Sequence, residues 1–252
     1  MISVTQTETA VKKLRGDLEL YSGSCLKISN KASELVPLTF NRAQSLVHDR
    51  LSAQKRKEGR VRAIILNARQ EGVSTYTAAR FFRSMHLWQG RKIMVVADSL
   101  ERTGVLFDIY QRYLDNIPDE ITPKQRAVTQ RKRMAFSHDS ELSVRPASDT
   151  EAGRAQTIHL IHASELAFWG SSGVDASATW TSLMQAVPAK GSEVIIESTA
   201  KGAGGLFHDL WEQAQNEGNG WLAIFLPWWI HDDYAVVCSE EMKNVIDDNI
   251  DD

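Results

Sequence analysis

Cysteine is nearly absent from this chain. Cys25 and Cys238 are the only two in 252 residues, too few for a disulfide framework and spaced for no cysteine-based metal site, so both read as structural thiols in a reducing compartment. An excess of basic charge is missing as well. With 29 Lys and Arg against 32 Asp and Glu the formal charge is -3, which excludes a wholly basic nucleic-acid protein and confines any DNA contact to local patches. No segment nears the roughly 18 apolar residues of a membrane span, and no apolar run follows basic residues at the N-terminus as in a leader. A soluble, intracellular protein with no membrane partner is expected. What is present is 42% hydrophobic content, ample for one large domain or two small ones.

The chain then divides by pattern. Residues 1–36 are polar and mixed, with weak helical periodicity at Val11, Leu14, Leu18 and Leu20, and read as an N-terminal extension. Residues 37–235 form the organised domain. Residues 236–252, ending DDNIDD, read as a tail or a cut linker. Within the domain the pattern predicts a helix over 41–60 and a buried strand over 61–66. A helix over 74–88 follows, since Ala78, Phe81, Phe82 and Met85 recur at helical spacing and Gly90 ends it. Further on come a strand over 92–97 and a helix over 100–116 before Pro118. MAFSHDSELSVRPA reads as a hairpin turning at His138 and Asp139, while IHLIHASE and SEVIIEST read as strands that end in polar residues. Strands alternating with helices imply an α/β fold with a mostly parallel sheet flanked by helices, and ligand chemistry at the strands' carboxyl ends.

One more absence falls at such an end. ILNARQEGVSTYTAARFF nearly spells a phosphate-binding loop, which needs glycines, a lysine and a hydroxyl between a strand and a helix. Asn67 holds the first glycine position, Gly72 the second and Ser74 the hydroxyl position, but Val73 fills the lysine position. Backbone N–H groups of Arg69, Gln70, Glu71, Gly72, Val73, Ser74 and Thr75 can still surround a phosphate, Ser74 can ligate Mg2+, and the following helix adds its dipole. The missing cation can come from Arg69, whose fork matches phosphate oxygens.

IHLIHASE has the form of the acidic strand of a P-loop ATPase, with Ser164 at the first carboxylate position and Glu165 at the second. Ser164 can hold the metal through water, and Glu165 can polarise the attacking water. The plainer reading is a carboxylate capping the helix that follows. In SEVIIESTAKGAGG the strand ends in Ser198, Thr199 and Ala200 before a glycine-rich turn, where small hydroxyl residues can sense a γ-phosphate. In PLTFNRAQ, Gln44 lies about two dozen residues before the loop, and its amide can read the N6 donor and N7 acceptor of adenine.

Together these segments resemble the ATPase domain of a tailed-bacteriophage terminase large subunit, a DNA-packaging motor. The resemblance runs over residues 37–234 and lies in PLTFNRAQ as the adenine motif, ARQEGVST as the deviant loop, RAQTIHLIHASELAFW as the acidic strand and its run-in, and IIESTAKGAGGLFHDLW as the coupling motif. It implies a RecA-like, ASCE-type fold, ATP and Mg2+ as cofactors, and hydrolysis that drives double-stranded DNA into a procapsid. The implied setting is the host cell cytoplasm, with a homo-oligomeric ring on the portal and a small terminase subunit as partners. In that family the loop cation often sits early, at the position of Arg69. Val73 and Ser164 depart from the frequent lysine and aspartate.

The resemblance also implies a trans-acting arginine just before the acidic strand, where Arg154 stands, with Arg145 and Arg102 as rivals. Of two basic stretches, residues 54–62 read as a solvated face, whereas 123–133 carries Lys124, Arg126, Arg131, Lys132 and Arg133 without an acid and suits sequence-independent phosphate contacts. After residue 234 no acidic cluster on successive strands is expected to hold the two metals of a nuclease, so an isolated ATPase domain without nuclease activity is expected. The alternatives are a helicase-like DNA-dependent ATPase, which would keep the loop lysine, and a nucleotide-binding assembly module that does not hydrolyse.

Overall fold

A computed structural model describes residues 4–121, 128–130, 132–149, 157–170, 173, 175–216 and 219–230. The elements in chain order are α1 (Val4–Gly16), α2 (Leu18–Cys25), β1 (Lys27–Ser29), β2 (Leu35–Pro37), α3 (Arg42–Glu58), β3 (Val61–Asn67), α4 (Val73–Leu87), β4 (Lys92–Ala97) and α5 (Leu100–Asp115). They continue with β5 (Val128–Gln130), β6 (Arg133–Ala135), β7 (Glu141–Pro146), β8 (Leu160–Ser164), α6 (Ala176–Gln185), β9 (Glu193–Ser198), α7 (Leu206–Gln215) and β10 (Leu222–Leu226). β1 and β2 form a small antiparallel pair. The rest make one eight-stranded sheet in the order β10-β3-β9-β8-β4-β7-β6-β5, parallel from β10 to β7 and antiparallel at β6 and β5.

The central strands are apolar on both sides because both faces are covered, as parallel sheets require. Along β3, Val61, Ala63 and Ile65 enter one core with residues of α1 to α5. Ile64 enters a second core with Trp180 and Leu183 of α6 and Phe207 and Ala214 of α7. Helix ends follow their local chemistry. Asn41 accepts from the Gln44 N–H while the Gln44 side chain accepts from the Asn41 N–H, a reciprocal capping box on α3. Ser99 caps α5 and Asp175 caps α6. α4 starts at Val73, one residue before the predicted start, and its N-cap Gly72 makes no side-chain cap bond.

The expected hairpin is present, with Asp139 at φ 65° in its turn. β10, which the sequence pattern had not singled out, extends the sheet beside β3. The described part of the N-terminal segment, residues 4–36, is tied into the domain. Leu14, Leu18, Tyr21 and Cys25 join the core, the Tyr21 hydroxyl meets His86 Nδ1 at 2.8 Å, and Arg15 Nε donates to the Leu87 carbonyl at the end of α4 at 2.9 Å. Burial raises the Cys25 thiol to about 11, in keeping with a structural role.

For the site, one topological fact matters most. β9 comes late in the chain yet lies between β3 and β8, with Ile65 and Ser164 both beside Glu197 and Leu66 beside Ser198.

Candidate functional site

The carboxyl ends of β3, β8 and β9 and the start of α4 surround a cavity of about 500 Å3. Asn67, Arg69, Gln70, Glu71, Gly72, Val73, Ser74 and Thr75 line it from the loop, Glu165, Phe168, Glu197 and Thr199 from the neighbouring strands, and Asp98 and Arg102 from the far side. The loop conformation depends on Gly72. Its φ is 76°, where a side chain is strained, and a Cβ there would stand 2.6 Å from Gln44 Nε2 and displace that amide. With no side-chain cap, the first turn of α4 keeps N–H groups for an anion.

Gln44 takes a different place from the adenine reader expected of it. It is buried. Its Nε2 donates to the Gly72 carbonyl at 2.9 Å and its Oε1 accepts from the Asn41 N–H at 3.0 Å, so the amide braces the loop from behind. Asn41 helps, donating from Nδ2 to the Glu71 carbonyl at 3.2 Å. Val73 is buried in the core. Arg69 remains on the cavity wall.

Glu165 stands at the strand end with φ 53° and ψ 46°, a left-handed conformation unusual for a residue with a side chain. Its N–H donates to the Glu197 carbonyl at 2.7 Å. Its Oε2 accepts from the Thr199 N–H at 3.1 Å and from the Thr199 and Ser198 hydroxyls at 3.2 Å each. Arg102 approaches Oε1 at 3.7 Å while pairing with Asp98 at 3.0 Å. The ends of β8 and β9 are thus joined through one carboxylate. Ala200 lies beyond, in an adjacent recess with Phe225 and Trp228 that also borders Arg69.

Glu197 escaped the sequence reading. It is buried on β9, and Ser74 Oγ donates to its Oε1 at 2.6 Å, Ser164 Oγ donates to the same atom at 2.8 Å, and His162 Nε2 lies 3.2 Å away. Burial pushes this carboxyl up, but the hydrogen bond and charge of His162 and the two hydroxyls prevail and hold it below its ordinary value. A signal existed: EVIIES places two acids four residues apart in an otherwise apolar strand, on one face by the period of two.

The remaining expected residues divide. Arg154, Lys124, Arg126 and Arg131 lie outside the described residues. Lys132 donates to the Leu100 carbonyl at 2.9 Å and to Thr103, and Arg133 donates from Nε and Nη2 to the two carboxylate oxygens of Glu141. Arg145 pairs with Asp149 at 3.0 Å. These three basic residues line a second cavity, so of the rival arginines only Arg102 reaches the first.

No protein-family model matches the chain, and no curated protein matches it. Solved structures do. The HK97 bacteriophage large terminase superposes with a TM-score of 0.66 at 14% identity over 89% of this chain and 45% of its own. The large terminase of a thermophilic bacteriophage, in complex with ADP, gives 0.55 at 13% identity over 82% and 49%. The large terminase ATPase domain of Thermus phage P74-26 gives 0.52 at 15% identity over 71% and 80%. The chain spans under half the length of the HK97 protein and of the ADP-bound terminase. At these identities the likeness establishes the fold alone, the expected mostly parallel α/β sheet flanked by helices.

Proposed function

We propose that this chain is the ATPase domain of a phage terminase large subunit, hydrolysing ATP to drive double-stranded DNA into a procapsid in the host cytoplasm. The observation that carries this reading is the meeting of the loop, Glu165 and Thr199 around one cavity at the sheet's carboxyl edge. The fold of the solved terminases supports it.

The backbone of residues 69–75 binds the phosphates, and Arg69 supplies the cation that Val73 does not. The oxygen donors Ser74 and Ser164 suit a hard cation. Among the described residues no cluster of three or more His, Cys, Asp or Glu could hold a metal unaided, so these hydroxyls would hold Mg2+ together with the nucleotide. Bound Mg2+ neutralises charge on the phosphates. Glu165 orients the attacking water and takes its proton, held ready by Ser198, Thr199 and Arg102. Loss of the γ-phosphate then alters a carboxylate bonded to the coupling motif, which is the route from hydrolysis to motion. Arg154 acts on the neighbouring subunit's nucleotide within a ring on the portal, the small subunit delivers the DNA, and the 123–133 stretch contributes phosphate contacts.

ATP turnover and binding test this together. Glu165→Gln should keep ATP binding and lose hydrolysis by roughly 10²–10⁴-fold; turnover at the parent's rate removes Glu165 from the mechanism. An Arg154→Ala chain mixed with a Glu165→Gln chain should regain activity. Mixed assemblies that form without rescue return the finger role to Arg102 or Arg145.

A further inference from the structure

The strand-end position that carries the first carboxylate of a P-loop site holds a neutral hydroxyl here, Ser164. We propose that Glu197 replaces it, so that the carboxylate of the divalent-cation site comes from β9, the strand interposed between the loop strand and the acidic strand. The proposal rests on the nucleotide site described above.

Register makes the substitution possible. Ser164 on β8 and Ile65 on β3 flank Glu197 in the sheet, so its side chain arises between the strand that leads into the loop and the strand that lacks its acid. The Ser74 hydroxyl donates to Glu197 at 2.6 Å, and that of Ser164 at 2.8 Å. A hydroxyl that gives its proton to a carboxylate keeps its lone pairs for a cation. Ser74, Glu197 and Ser164 therefore form one oxygen-rich wall of the cavity beside the first turn of α4, with donor chemistry suited to Mg2+ or Mn2+.

Glu165 is a poorer candidate. Its Oε2 is occupied by Ser198 and Thr199, and its Oε1 faces the Arg102 guanidinium, a positive neighbour that repels a second cation. Glu197 is hydrogen-bonded by Ser74, Ser164 and His162, of which only His162 can carry charge. The Glu197 carboxylate, held by His162, Ser74 and Ser164 at 3% exposure, keeps its charge at the cavity wall, where a divalent ion arriving with the nucleotide would meet it.

ADP binding, measured by calorimetry with Mg2+ and again with chelator, tests the assignment without relying on turnover. The parent should bind ADP more tightly with Mg2+. Glu197→Gln should bind metal-free ADP as the parent does, while the gain from Mg2+ falls by roughly 10–100-fold, the range for disturbing a metal's coordination environment. Adding Ser164→Asp to Glu197→Gln should restore part of the gain by returning the carboxylate to β8. An undiminished Mg2+ gain in folded Glu197→Gln overturns the proposal, and so does an equal loss of metal-free and Mg2+ binding, which would make Glu197 only a brace for the loop. Should the variant not fold, crystals of the parent with Mn2+ and ADP decide by anomalous scattering. A manganese peak coordinated by Glu197 supports the assignment, and a peak coordinated by Glu165 instead refutes it. A parent that binds no ADP at all overturns the nucleotide-site reading itself.

Discussion

The two ends of β9 carry the same residue in opposite circumstances. Glu193 and Glu197 lie on one face of one strand, each 3% exposed. At the amino end Glu193 meets Arg80 Nε of α4 at 2.6 Å and also Lys55 of α3. Burial alone would raise its pKa, but the two cations bring it down to about 2. At the carboxyl end Glu197 has hydroxyls and one imidazole. One charge is answered within the protein and the other faces a cavity. This is the division expected of an open parallel sheet, whose ligands bind beyond the carboxyl ends of its strands: identical acids serve stability at one edge and chemistry at the other.

The largest effect should come from breaking the closed end. Glu193→Gln strands the buried Arg80 guanidinium and should cost about 3–5 kcal/mol in urea unfolding. Glu197→Gln should change unfolding free energy by only about 1 kcal/mol, the net scale of a hydrogen bond. Equal losses at the two positions would erase the contrast between the ends.

Acid should sharpen the same contrast. With its folded pKa near 2 and an ordinary value of 4.5, Glu193 contributes stability that is complete above about pH 4.5 and lost as pH falls toward 2. His86 acts in a higher window. Burial lowers it from 6.5 to about 4, so the unfolded chain binds the extra proton and stability also falls between pH 6.5 and 4. Thermal melting across pH should show both phases in the parent. Glu193→Gln should flatten only the lower one.

Smaller effects belong to the open end. Arg69→Ala should weaken ATP binding by roughly 10–100-fold, the worth of a charge-assisted hydrogen bond, whereas Val73→Ala should leave ATP affinity near the parent's and cost only core packing. Titration with a fluorescent ATP analogue distinguishes them, and equal affinities for Arg69→Ala and the parent would remove the relocated cation. Smallest is Gln44→Ala. Losing the brace on Gly72 should lower stability by about 1 kcal/mol and raise hydrogen exchange in residues 69–74; unchanged exchange there would deny Gln44 its supporting role.

Local regularities made much of this readable in advance. Helical spacing at Ala78, Phe81, Phe82 and Met85 revealed α4, apolar runs ending in polar residues revealed β8 and β9, and a glycine before Ser74 revealed the loop. Each depends on residues near one another in the chain, where period and turn chemistry act directly. The N-terminal helices were harder to judge. Leu14, Leu18 and Tyr21 show where apolar side chains lie, but not that a core some 65 residues further along, at His86, receives them. Gln44 looked like a ligand reader because nothing local tells an amide facing a cavity from one bonded behind a loop. Strand order was invisible for the same reason, since parallel neighbours are chosen by crossovers and not by adjacent sequence. The sequence by itself determined that a strand, a glycine turn and a helix would offer N–H groups to an anion, and that Glu165 would end a buried strand. Only the tertiary structure decided that β9 inserts between β3 and β8, because burial of both sheet faces is settled by the whole chain at once; that insertion carries the Glu197 carboxylate to the hydroxyls of Ser74 and Ser164.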